Sequence, residues 1–109
     1  MTRQLRIDQL CVTIGAENSV TAQGEYRGQP VSCAVADSNL VFLAFSGGAS
    51  TRIGCFSNAG DRIWLVDISN DFVVNMRIEQ GCLIAWTWDC WSLTFSTATG
   101  SLLAEQFTK

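Results

Sequence analysis

The strongest constraint on this chain is a two-residue alternation of apolar and polar side chains, broken about every ten residues by turn formers. In "DFVVNMRIEQ", Phe72, Val74, Met76 and Ile78 share one face. Asn75, Arg77 and Glu79 share the other, and Val73 is the exception. Successive side chains of a strand point to opposite faces, so this pattern predicts an antiparallel strand with one buried side. The same reasoning marks "QLCVTI", "SVTAQGEY", "PVSCAVA", "LVFLAF", "TRIGCF", "RIWLVDI", "CLIAWTW", "WSLTF" and "SLLAEQF". Between them lie "GAEN", "RGQ", "SGGAS", "SNAGD", "EQG" and "STATG", whose Gly, Asn, Asp and Ser residues accept turn geometries that strand residues resist. One stretch is ambiguous. Over 38–46, Asp37 or Ser38 would serve as an N-cap and Gly47 as a stop, so a short helix competes with a strand, which is preferred.

With 109 residues the chain holds one core. The expectation is a single all-β domain over 1–109: an antiparallel meander of about nine or ten short strands, as a curled sheet, sandwich or small barrel.

An internal echo accompanies the meander. "CFSNAGDRIW" sets beside "TFSTATGSLL", matching Phe56 to Phe95, Ser57 to Ser96, Ala59 to Ala98 and Gly60 to Gly100 after one insertion. The two phenylalanines are about 40 residues apart, near the ~40–45 of a four-stranded propeller blade. Residues 82–107, "CLIAWTWDCWSLTFSTATGSLLAEQF", resemble a blade of the quinoprotein-type (PQQ-like) propeller repeats. The resemblance implies a meandering sheet with a Thr-Gly turn before its outer strand. The chain is too short for a closed ring and carries no cofactor motif, so quinone chemistry is not implied, and no cofactor is expected.

Several functions are disfavoured by composition. Histidine is absent, which removes Ser-His-Asp and Cys-His catalysis. The cysteines at 11, 33, 55, 82 and 90 form no C-x-x-C, so neither a structural zinc nor any other metal site is expected. Cys90 adjoins Asp89, which disfavours a thiolate, and Cys11 and Cys33 lie among apolar residues. Asp61, Asp67, Asp71, Glu79 and Asp89 fall at or near turns, with no spacing that singles out a glycosidase pair. The expected protein is not an enzyme. Lys109 is the only lysine, the six arginines are scattered and the net charge is -3, which argues against nucleic acid and anionic lipid. The polar start "MTRQLRIDQL" has no signal-peptide core, and no run is long enough for a membrane helix. A soluble cytoplasmic protein with reduced cysteines is expected.

The charged fraction is only 16%, so the surface has to be apolar or rich in uncharged polar groups. A second copy is the simplest cover for such a surface, and a homodimer is expected, with a further protein partner possible. The function expected is a small non-enzymatic binding protein acting through protein contacts. The alternative is a small-molecule or carbohydrate binder that uses "AWTWDCWSL". If Asp89 and Cys90 are the two central turn residues, Trp88 faces Trp91, Trp86 faces Leu93 and Ile84 faces Phe95, all on one face, which is expected to be the core side of the sheet with its Trp88–Trp91 end open. Asp-Cys is a poor two-residue turn, and a one-residue slip would put the aromatic sets on opposite faces. Trp88, Asp89 and Trp91 are the candidate ligand-binding residues.

Overall fold

"LVFLAF" became a strand buried on both sides. In the computed structural model, which describes residues 2–37, 39–47, 50–68 and 71–108, it lies in β6 (Leu40–Gly47). Val41 through Phe45 are all fully buried. Phe42 and Ala44 pack to one side, and Val41, Leu43 and Phe45 to the other. A strand covered on both faces has no use for polar alternation, which is why its sequence had no period.

β6 is the centre of a five-stranded sheet in the order β4 (Glu25–Tyr26), β5 (Gln29–Ala36), β6, β7 (Ser50–Ser57), β8 (Arg62–Ile68). One face of it meets a three-stranded sheet of β1 (Arg3–Ile7), β2 (Leu10–Ile14) and β3 (Val20–Gln23). The core there joins Ile7, Leu10, Val12 and Ile14 to Tyr26, Val41, Leu43, Phe45 and Phe56. Tyr26 stacks on Phe45 at 4.7 Å. The opposite face meets a four-stranded sheet, β12 (Leu102–Phe107), β11 (Trp91–Ser96), β10 (Cys82–Thr87) and β9 (Val73–Glu79). Its core joins Phe42, Ile53, Cys55 and Trp64 to Val73, Met76, Leu83, Ala85, Leu93 and Phe95. All pairings are antiparallel.

The all-β meander is therefore the observed class, resolved into three stacked sheets. Twelve strands are present among the described residues instead of nine or ten. β1 is polar enough to escape notice, since only Ile7 of its five residues is buried. "SVTAQGEY" is broken into β3 and β4 at Gly24, whose φ is +106°.

Two expectations about facing residues are corrected. On β9 the buried residues are Val73 and Met76, while Phe72 and Val74 are exposed. The cause is a β-bulge: Trp86 pairs with Asn75 and Thr87 with Val73, which leaves Val74 unpaired and reverses the phase. The β10–β11 hairpin is also one position off the two-residue-turn register. Ala85 lies opposite Leu93, Leu83 opposite Phe95 and Trp86 opposite Ser92.

The internal echo has a structural counterpart. Ser57 N–H donates to Asp61 O and Ser96 N–H to Ser101 O, while Gly60 and Gly100 N–H donate back to Ser57 and Ser96. Both hairpins then carry a bulge just past the turn, at Ile63 and at Leu103. Each bulge residue is exposed, which explains two large apolar side chains in solvent.

Candidate functional site

The four tryptophans have four different environments. Trp64 is buried, with its ring 5.9 Å from Phe42 and its Nε1–H donating to Thr97 O at 2.9 Å. Trp86 lies on the outer face of the last sheet, half-buried, with the Arg77 guanidinium 6.0 Å from its ring centroid. Trp88 is 74% exposed and Trp91 38% exposed. The slip thus separates Trp86 from Trp91, and the smaller side, Leu83, Ala85 and Thr87, is the one that faces the core.

Trp88, Asp89 and Cys90 form a three-residue turn. Cys90 has φ +69°, the left-handed residue that closes such a loop after a type I turn. A non-glycine residue there carries strain, so the neighbours have to hold it. Four successive backbone N–H groups are satisfied. Trp88 N–H donates to Phe72 O at 2.8 Å, and Cys90 N–H to Thr87 O at 3.1 Å. Asp89 N–H donates to Asp71 Oδ1 at 3.2 Å, and Trp91 N–H to Thr87 Oγ1 at 3.1 Å. Cys90 O accepts from both the N–H and the hydroxyl of Thr108, each at 2.7 Å. The turn is tied to the start of β9 and the end of β12 at once.

An aromatic end of the molecule results. Trp91 meets Phe107 edge-on at 5.5 Å, and Phe72 and Phe107 are exposed beside the turn's anchor points. Of the candidates, Trp88 and Asp89 project from the turn, and Trp91 joins the β11–β12 pair. Phe72, Phe107 and Asp71 were missed. Phe72 was assigned to a buried face by the unbroken alternation. The position of Phe107 opposite Trp91 depends on a bulge that no residue type announces.

Elsewhere the acids are engaged in ordinary ways. Asp67 pairs with Arg52 at 2.9 Å and Glu79 with Arg77 at 3.0 Å, both in solvent. Burial pushes the Cys33 thiol up to about 11, partly offset by a hydrogen bond with Ser32. Burial, with the Asp37 carboxylate adding, pushes the Cys55 thiol up to about 12. At neutral pH both are thiols, the form that is neither nucleophile nor metal ligand. Among the described residues no three His, Cys, Asp or Glu side chains gather as metal ligands would, and no helix is long and apolar enough to cross a membrane. No protein-family model and no curated protein matches the sequence.

Proposed function

We propose that this is a non-enzymatic binding protein that acts through protein contacts made at the aromatic end of its last sheet. One observation carries the reading. Among the described residues the most exposed large apolar side chain, Trp88, stands on a turn whose N–H groups, with that of Trp91 after it, are all bonded. A large apolar ring in water adds nothing to folding, whereas a ring on a fixed backbone binds with little ordering cost. Five cysteines with no disulfide among them suit a reducing compartment, and we place the protein in the cytoplasm on that ground.

The test is affinity purification of tagged chain in three forms: wild type, Trp88→Ala, and Ile63→Ser on the distant bulge. A partner held by wild type and Ile63→Ser and released by Trp88→Ala supports the reading. Identical retention by all three removes the tip from the function. A second reading is favoured by Asp71, whose carboxylate accepts from the N–H groups of Phe72 and Asp89 beside the exposed Phe72 ring. Carbohydrates stack C–H faces on indoles and donate hydroxyls to carboxylates, so Trp88, Trp91 and Asp89 would form a sugar platform. Binding on a neutral-glycan array, lost in Trp88→Ala, would replace the protein-partner reading.

A further inference from the structure

We infer that a second copy of this chain pairs with β12, edge to edge and antiparallel, through a two-fold axis at Gln106; this rests on the reading that the protein works through protein contacts. A sheet edge presents unpaired N–H and C=O groups, and proteins guard such edges with charges, bulges or brevity. The other end strands are guarded, and the stretch of β5 that β4 leaves unpaired, 31–36, lies against β3 and β9. β1 carries Arg3 and Arg6, β8 carries Arg62 and Asp67, and β9 carries Arg77 and Glu79 with a bulge. β3 and β4 have four and two residues. β12 carries one charge, Glu105, and its bulge lies near its start, at Leu103. All six of its side chains are exposed, Leu102, Leu103 and Phe107 among them. In the single chain this strand is held by the β11 ladder and the Trp91–Phe107 contact, and none of its side chains is buried. The free side of such a strand suits a partner that offers the same edge, and a second copy does.

The hydrogen-bond phase selects the register. Thr108 N–H donates to Cys90 O, so Thr108 faces β11 and, by alternation, so do Gln106 and Ala104. The N–H and C=O groups of Glu105 and Phe107 therefore point away from the sheet. Pairing Glu105 with Phe107 of the second copy, twice over, makes four hydrogen bonds clear of the bulge. A two-fold at Glu105 would instead set two carboxylates directly opposite each other. At Gln106 the two side-chain amides meet, each both donor and acceptor. Phe107 and its symmetry mate fall on a diagonal, a separation that aromatic side chains span, and Trp91 of each copy extends the cluster.

Two measurements test this in the full chain. Light scattering should give twice the 11.9 kDa of one chain. Glu105→Pro removes only an outward N–H, leaves the β11 ladder whole, and should weaken dimerisation at least about tenfold, the effect of two lost hydrogen bonds. Gln106→Cys should form a covalent dimer under mild oxidation, because opposed residues between hydrogen-bonded pairs bring their Cβ atoms within disulfide reach. Ala104→Cys and wild type should not. A single-chain mass at millimolar concentration overturns the inference. So does a dimer that survives Glu105→Pro and fails to cross-link at Gln106→Cys; that result places self-association on another surface and leaves the Trp88 reading intact. Loss of partner binding in Trp88→Ala with the dimer unchanged separates the two readings in the other direction.

Discussion

β6 and β12 are both apolar strands with one neighbour-rich and one bare outcome. β6 buries five consecutive side chains between two sheets, and β12 buries none. Both lie in meanders with the same hairpin turn, at Ser57–Asp61 and at Ser96–Ser101. The difference is position in the stack. The central sheet is covered on both faces, whereas β12 is the outermost strand of an end sheet and contributes no residue to either core. Apolar sequence therefore has two uses here: in the middle layer it holds the sheets together, and at the free edge it is left for a partner.

The largest effect separates these two uses. Phe45→Ala should cost about 3–5 kcal/mol, since the ring is enclosed and stacked on Tyr26. Phe107→Ala in dilute monomer should cost well under 1 kcal/mol. Urea midpoints at matched slope would measure both. Comparable losses would mean that β12 is part of the core after all.

Two glycines divide the next effect into its parts. Gly100 and Gly81 both have φ +77°, where a side chain is strained. A Cβ at Gly100 would lie 2.7 Å from the Trp64 ring, and one at Gly81 would meet nothing within 4 Å. Gly81→Ala should therefore cost about 1 kcal/mol for backbone strain alone. Gly100→Ala should cost about 2–3 kcal/mol, because Trp64 also has to give up its place or its bond to Thr97. Equal losses would show that the turn, unlike the fold around it, yields freely.

Alternation, turn spacing and the paired "FSNAG" and "FSTATG" segments made the sheet class and most strands legible. The layer order was not legible, because two-sided burial of β6 erases the period that would report it. The site was half legible. Trp88, Asp89 and Trp91 do stand at the open end, but the faces on either side of them were reversed. Each reversal comes from one residue outside the two-residue rhythm, Val74 in a bulge and Cys90 in a left-handed turn. Such residues are fixed by bonds from distant segments, here Phe72 and Thr108, which local pattern does not contain.

Alkaline pH should weaken the middle layer selectively. Cys33 and Cys55 are raised above an ordinary value of 9.0, to about 11 and about 12. The folded state then keeps protons that the unfolded chain releases. The contribution is complete below pH 9 and is lost as pH rises toward those values, at up to about 1.4 kcal/mol per pH unit for each thiol. Cys55→Ala should flatten the slope of stability against pH between 9 and 10.5, even though it lowers stability at pH 7. An unchanged slope would mean that the central sheet admits hydroxide or water more readily than its packing suggests.

The smallest effect bears most directly on function. Trp64→Ala should cost about 3–5 kcal/mol, removing a buried ring and its bond to Thr97. Trp88→Ala should change stability by no more than about 0.5 kcal/mol, because the turn is held through backbone groups and the Asp71 and Thr87 side chains, none of which belongs to the indole. Iodide should quench the wild-type fluorescence in part, and the quenchable part should shrink in Trp88→Ala. If removing Trp88 instead destabilised the protein as removing Trp64 does, the indole would be working for the fold. A near-neutral substitution leaves the ring free for a partner, which is the condition the proposed function requires.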